Sequence, residues 1–587
     1  MIQELWTYIK SRKLLYLGIL VMVLADYGMA VFPTRVTQAI INAISDGSLT
    51  RPFLNKQLTI LAVTTIIMYV AGYFWVTWMF RSQNKYQLDM RRKLFRKLSV
   101  MKIPFYDKFR SGDMMTRFTS DISSLSELLG YGTMSLLYGF GTLIIIIPQM
   151  FFVSWWISLL SMFPIIILGI LVNRVGAAQD KVVEENREAV AALSNEVLEV
   201  VEGIRVTRAY GNSALGAARF AEKAKDLRKK ADAIMTYQAM YGRLSNVLLA
   251  LSACIILGFG GYAMTQGQLQ IGDVVALQMY SWVLLEPMWM LADFILVYKS
   301  GQVSFGKLQE LLDTSDDMEV DGDLPLETMS SLEFKDYSFN YAGSDYVGLK
   351  DINLQLKEGQ TLGIVGKTGS GKTTLVRQLL RQYPVGQGGF LINGRQAQDY
   401  KRTDIEKQIG YVPQEHVLFS RTVAENIKVG KSDATQKELD YAVAVAAFTS
   451  DLERMDKGYD TLVGEKGVSV SGGQKQRISI ARAMIKNPTL LILDDSLSAV
   501  DAKTERMIIE NIQYLRQGKM NIITTHRLSA VHHADWVIVM DQGQIVEEGK
   551  PEDLLAAGGW YAEQYQKQQE GKEEAIDETD QTTPVLY

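Results

Sequence analysis

Residues 361–374 read TLGIVGKTGSGKTT, and residues 490–495 read LLILDD. In the first, a strand-like apolar run breaks into G-x-x-x-x-G-K-T over residues 366–373 and continues into the helix-forming TTLVRQLLRQ. Glycines let backbone N–H groups wrap around phosphates, the Lys372 ammonium neutralises their outer charge, and the Thr373 hydroxyl can hold Mg²⁺. Gly366, Lys367, Thr368, Gly369, Ser370, Gly371, Lys372, Thr373 and Thr374 are therefore the expected ATP-binding stretch. In the second, a buried strand delivers two acids at its carboxyl end. Asp494 is expected to hold Mg²⁺, and Asp495 stands where a general base for water would sit, with capping of the following turn as the plainer alternative. ATP and Mg²⁺ are the implied cofactors.

Around these motifs, from residue 332 to about 565, short apolar runs alternate with amphipathic helical stretches, the pattern of an α/β domain. The chain upstream is unlike this. Of 587 residues, 48% are hydrophobic and only 21% charged, a balance reached by joining a membrane-embedded part to a polar one. Runs long enough to cross a bilayer fall only in the first half, at residues 14–31, 58–80, 131–153, 155–172, 247–263 and 274–298. Sixty-one Lys and Arg against 65 Asp and Glu leave a charge of -4, which offers no basis for a nucleic-acid partner. The single Cys254 excludes an internal disulfide and a Cys-based metal site, and in its apolar run it reads as a small buried side chain.

Residues 81–127 and 174–243 are rich in Lys and Arg, whereas 265–273 contain neither. The long loops, the amino terminus and everything after residue 299 are thus expected in the cytoplasm, with MIQELWTYIKSRK at residues 1–13 as an interfacial helix. Each long excursion is broken once, around Gly112 and around Gly203, either as a docking elbow or as a simple hairpin turn. The expected division is a membrane domain over 1–306, a turn-rich linker over 307–330, an ATPase domain over 331–565 and an acidic disordered tail over 566–587.

Residues 468–477 read VSVSGGQKQR. Together with the phosphate loop this resembles the ATPase of ABC transporters, whose LSGGQ signature other P-loop proteins lack. Further marks follow in that family's order. YVPQ resembles the Q-loop with Gln414, TLVGEKG the X-loop with Glu465, SAVD the D-loop ending at Asp501, and TTHR the switch histidine His526. The stretch SFNYAGSDYVGLKDI resembles the A-loop, which implies that Tyr341 stacks on adenine. A six-span domain before one ATPase domain resembles the half-transporter layout of B-type exporters. The implied fold is an all-α six-helix transmembrane domain of the type I ABC exporter (type IV ABC transporter) class, followed by an α/β P-loop nucleotide-binding domain. In that family the two elbows are coupling helices, and Gln414 joins Thr373 and Asp494 around Mg²⁺.

The resemblance implies that ATP is held between the phosphate loop of one chain and the signature of another. The family's usual residue at position 495 is Glu, and Asp495 is one methylene shorter. A displacement of about 1 Å can cost on the order of a hundredfold in rate. The chain therefore resembles the degenerate-site half of the heterodimeric bacterial multidrug exporters. The implied partner is a second half-transporter with a catalytic Glu and a weakened signature. Ser471, Gly472, Gly473 and Gln474 of this chain would act on that partner's ATP. The implied activity is ATP-driven efflux of amphipathic compounds across a bacterial plasma membrane. Alternatives are a homodimeric lipid or peptide exporter and an ATP-gated regulatory membrane protein. Asp26, Glu286 and Asp293, ionisable groups within spans, are candidates for a cavity that favours amphipathic cations, with hydration near the cytoplasmic interface as the plainer role of Asp293.

Overall fold

Among the described residues, five helical stretches are long and apolar enough to cross a membrane: Lys13–Ser45, Arg51–Val100, Ser111–Val153, Ala214–Thr265 and Ile271–Asp313. The computed structural model describes residues 1–211, 213–344, 347–464, 470–498 and 500–581, without every side chain of 165–180, 213, 241 and 571–581. It divides into two units, Met1–Val100 with Ser111–Thr314, and Met101–Arg110 with the chain from Ser315 onward.

The first unit is all helix. Leu14, Tyr69, Ile144, Phe152 and Trp155 are each more than half exposed. That inverts the habit of a water-soluble protein, because hydrocarbon solvates apolar side chains as well as a core does. The same reason corrects the reading of Cys254, which is exposed rather than buried. The expected span at 155–172 opens the helix Trp155–Glu202 and falls partly on side chains outside the described residues. Before it, Ser154 is extended, and the Ser158 hydroxyl donates to the carbonyls of Met150 and Ser154 at 2.7 Å.

In the last span the helix breaks at Leu284, between Ile271–Val283 and Leu285–Asp313. Pro287 has no N–H to return to the carbonyl of Val283, so the ladder parts one turn before the proline. The second helix runs past residue 306, where the linker was expected to begin. Leu308 and Leu311 are buried on it, and Lys97 Nζ donates to the carbonyls of Leu312 at 2.6 Å and Thr314 at 2.7 Å, capping its end.

The first elbow lies upstream of its expected centre. Gly112 sits inside the helix Ser111–Thr116, and the chain turns instead on either side of Ile103–Lys108, a short helix with Pro104 in its first turn. The second elbow does centre on Gly203, which closes Trp155–Glu202 before Ile204–Ala209 and a left-handed Gly211 at φ 64°.

The second unit has two main sheets. An antiparallel sheet joins Val347–Lys357, Ser331–Asn340, Gln387–Ile392 and Arg395–Gln396. A six-stranded sheet runs in the order Gln544–Gly549, Trp536–Asp541, Thr361–Gly366, Met520–Thr524, Leu490–Asp494 and Ile409–Val412. Its central strands are apolar without alternation because both faces are covered: every residue of Leu490–Asp494 and of Met520–Thr524 is buried. The elbow segment belongs to this unit. Lys102 pairs with Glu406 at 2.7 Å, Lys108 with Asp317 at 2.5 Å, and the Tyr383 hydroxyl donates to Asp107 at 2.7 Å. The closing helix Trp560–Gln581 continues beyond the expected tail boundary at 565, since its Gln, Glu, Lys and Ala residues favour helix.

Candidate nucleotide site

Strand register builds the site. Ile364, Thr524 and Asp494 stand level on three neighbouring parallel strands, with Val412 beside Leu493 on the next. The loops that leave these strands therefore open at one carboxyl edge, where open α/β sheets take ligands. A cleft of about 230 Å³ lies there, lined by Tyr341, Val347, Gly348, Thr368–Thr374, Gln414, Asp494, Asp495, Thr524 and His526. Five of the sequence marks, Tyr341, the phosphate loop, Gln414, the Asp494–Asp495 pair and His526, thus meet in one place.

The phosphate loop owes its path to two glycines. Gly366 has φ 146°, and a Cβ there would stand 2.2 Å from the Met540 carbonyl; Gly371 has φ 101° with the Gly348 carbonyl 3.0 Å from such a Cβ. From that turn the helix Lys372–Leu379 begins. Lys372 is buried, and its ammonium donates to the carbonyls of Gly366 at 2.9 Å and Lys367 at 2.8 Å. Burial lowers its pKa, while the carboxylates of Asp495 and Asp494 oppose that shift. The Ser370 hydroxyl is buried with no partner among the described residues, an orphan that a phosphate oxygen would satisfy. Tyr341 donates to Thr374 Oγ1 at 3.2 Å, holding its ring beside the loop.

Asp494 is buried at the end of its strand and accepts from Thr524 Oγ1 at 2.6 Å and from the Tyr411 hydroxyl at 3.4 Å. Burial raises its pKa, Thr524 and Tyr411 pull it down, and Asp495 adds to the rise. Asp495 takes a left-handed φ of 45°, and its N–H donates to the carbonyl and hydroxyl oxygens of Thr524 at 2.9 and 3.0 Å. Gln414 Nε2 lies 3.4 Å from Asp495 Oδ2. His526, at the exposed rim, has its pKa lowered by desolvation of the ring first and by the Lys372 cation second. A neutral imidazole follows at pH 7.

Mg²⁺ fits this set: one buried carboxylate, Asp494, and the Thr373 hydroxyl, the kind of sparse protein ligation that Mg²⁺ completes with substrate phosphates. Among the described residues no three His, Cys, Asp or Glu side chains gather into a metal cage.

The signature is not part of this cleft. Ser471 caps the helix Gly472–Met484, accepting from Gln474 N–H at 3.2 Å, while its own N–H donates to Gln474 Oε1 at 2.9 Å. Ser471 and Gly472 are exposed. Asp501 also stands off the cleft and caps Ala502–Leu515 through the N–H groups of Lys503 and Thr504. Glu465 lies outside the described residues.

In the first unit each intramembrane acid has an aromatic donor. Trp75 Nε1 donates to Asp26 at 2.9 Å, the Tyr138 hydroxyl to Glu286 at 2.6 Å, and the Tyr131 hydroxyl to Asp293 at 2.7 Å. Tyr27 stands edge-on to both Trp75 and Tyr138, at 6.2 and 5.7 Å, so rings connect the Asp26 and Glu286 sites.

Sequence reasoning missed Thr524, Tyr411 and Tyr383. Tyr411 and Thr524 sit inside the quoted YVPQ and TTHR stretches, and the parallel register that turns them toward Asp494 was the missing signal.

Comparison with known proteins matches residues 15–288 to the family "ABC transporter transmembrane region" and residues 349–498 to the family "ABC transporter". The "Probable multidrug resistance ABC transporter ATP-binding/permease protein YheI" of Bacillus subtilis is 40% identical over 571 residues, covering 97% of each chain. The "Multidrug resistance-like ATP-binding protein MdlA" of Escherichia coli is 31% identical over 98% of this chain and 99% of its own. A solved bacterial Atm1-family ABC exporter shares the fold, with a TM-score of 0.77 at 24% identity over 95% of this chain and 98% of that one. The fold is therefore the type I exporter helical domain followed by an ABC nucleotide-binding domain.

Proposed function

The chain belongs to the ABC transporter family and is a multi-pass protein of a bacterial membrane; from that premise we propose that it exports amphipathic compounds at the expense of ATP, as one half of a heterodimer. One observation carries the need for a second chain. The cleft gathers the phosphate loop, Gln414, Asp494, Asp495 and His526, yet its lining includes none of Ser471, Gly472, Gly473 or Gln474. A signature from another chain completes the site, and this chain's signature completes the other.

Within that reading Tyr341 carries the adenine, and the backbone of residues 366–374 with Lys372 holds the phosphates. Thr373, Gln414 and Asp494 hold Mg²⁺. When bound, the ion offsets charge on the transferring phosphoryl oxygens. His526 meets the γ-phosphate as a neutral donor. Asp501 serves the contact with the partner, and Glu465 is the X-loop acid of the same reading. ATP closes the pair of ATPase domains, the elbows carry that closure to the membrane helices, and hydrolysis resets them. The amino terminus and the ATPase domain are cytoplasmic.

Asp495 supports an asymmetric pair. Its side chain is a methylene shorter than Glu, and its left-handed backbone suits Asp better than a longer residue. The own-site turnover is therefore weak, and the partner supplies the catalytic Glu beside a weakened signature. Asp26 and Glu286, joined by rings, receive the positive end of an amphipathic cargo, with Asp293 nearer the cytoplasm. The test is purification of the full chain alone and with whatever co-purifies from its own membrane. Weak ATPase alone and strong ATPase with a second half-transporter are expected; robust turnover of a homodimer would refute the heterodimer.

A further inference from the structure

The closing helix Trp560–Gln581 is more than a cover for the second unit. Its first turns are anchored: Tyr561 is fully buried in the core, and Trp560 and Tyr565 pack against the same cluster. Gln568 lies three residues beyond Tyr565, which turns it to the same helix face. There its side-chain amide grips the backbone of the switch loop at two points. Nε2 donates to the His526 carbonyl at 2.8 Å, and Oε1 accepts from the Leu528 N–H at 3.0 Å.

The residue straddled by that grip is Arg527, whose guanidinium runs the other way. It donates to the carbonyls of Ser498 at 2.8 Å and Val500 at 3.2 Å, and to the Glu505 carboxylate at 2.8 Å. The switch loop is thus held from behind by the closing helix and tied in front to the D-loop. His526 is the first residue of that held stretch and lines the nucleotide cleft.

We propose that Gln568 is a positioning residue for His526: by clamping the backbone on both sides of Arg527, the closing helix sets the height of the imidazole over the γ-phosphate position. The ring itself meets the Gly366 backbone of the phosphate loop, and Gln568 fixes the main chain from which that ring projects. A side chain with one acceptor and one donor suits the position, because one carbonyl and one N–H must be met across a three-residue stretch. The inference rests on the reading of His526 as the γ-phosphate contact and is independent of the degenerate-site reading, since it concerns binding rather than turnover.

The experiment uses the purified full chain in lipid nanodiscs and measures displacement of a fluorescent nucleotide by ADP and by the non-hydrolysable AMP-PNP. Gln568→Met keeps length and helix but removes both hydrogen bonds. It is expected to weaken AMP-PNP by about three- to tenfold, the scale of one or two net hydrogen bonds, and to leave ADP unchanged. In a His526→Ala background the same change is expected to add nothing. Gln569→Met, one position round the helix, is expected to leave both nucleotides alone. Equal losses for ADP and AMP-PNP would mark a merely structural role and overturn the proposal. So would an undiminished effect in the His526→Ala background, or an equal effect of Gln569→Met. If His526→Ala alone leaves the preference for AMP-PNP over ADP intact, the γ-phosphate reading of His526 fails, and the proposal falls with it.

Discussion

The ring of Tyr383 stands edge-on to that of Tyr341, with centroids 5.0 Å apart and planes at 89°, while its hydroxyl donates to Asp107 on the first elbow. The residue expected to carry adenine is therefore two contacts from the short helix Ile103–Lys108. Burial first, and then the hydrogen bond to the Asp107 carboxylate, raise the pKa of Tyr383, so the phenol stays protonated and donating at every physiological pH.

Tyr383→Phe keeps the ring against Tyr341 and removes only the donor. Amide hydrogen exchange across residues 101–110 is expected to rise by about tenfold, the scale of one hydrogen bond to a charged group, with ATP affinity unchanged. Unaltered exchange would show that Lys102 with Glu406 and Lys108 with Asp317 hold the elbow without help.

Asp495→Glu tests the asymmetric pair. In the complex with its partner the variant is expected to keep or raise ATP hydrolysis, because the carboxylate moves out toward the water position. The gain is limited by the left-handed backbone at φ 45°, which a Glu tolerates less well. A severe fall in steady-state phosphate release would mean that Asp495 is itself the tuned base.

The histidine at the rim gives a pH dependence. Its pKa in the folded chain lies below the ordinary value of 6.5, so the unfolded chain binds a proton first as pH falls. His526 thus contributes stability that is present above 6.5 and lost as pH drops below it toward the folded value. Thermal unfolding followed between pH 7.5 and 5.5 should show His526→Gln losing less stability on acidification than the native chain; parallel curves would refute the lowered pKa. His416, lowered by burial and then by Arg482, contributes a slope of the same sign that remains in both proteins.

Glu286→Gln keeps an acceptor for Tyr138 and removes the charge. Export of a cationic dye from cells carrying both halves is expected to fall by about tenfold, the order of one lost charge-assisted contact, with export of a neutral dye preserved. An equal loss for both dyes would assign Glu286 to helix packing instead.

Much of the nucleotide site was legible because its chemistry is local in sequence: a glycine turn, a lysine and a carboxylate at a strand end each announce themselves within a few residues. What lay hidden depends on register and long-range packing. Thr524 reaches Asp494 only because their strands align, and Gln568 fell in a stretch that composition assigned to a polar tail. The first elbow was misplaced onto Gly112 because a glycine reads as a break, although Pro104 marked the start of the short helix. Cys254 was misread for a different reason: in a membrane, apolar surroundings do not imply burial.

The membership of residues 101–110 in the second unit also sets a schedule for synthesis. Asp107 meets Tyr383 across 276 positions, and Lys102 meets Glu406 across 304. The elbow leaves the ribosome long before the surface that receives it exists, and at about 5–20 residues per second it waits on the order of fifteen seconds to a minute. Lys108 meets Asp317 part-way through that interval, but Asp107 and the Lys102 ammonium wait for Tyr383 and Glu406. The first half of the chain cannot complete its fold until the nucleotide-binding half is being made, and a chain truncated between residues 110 and 383 is left with an open elbow for quality control to find.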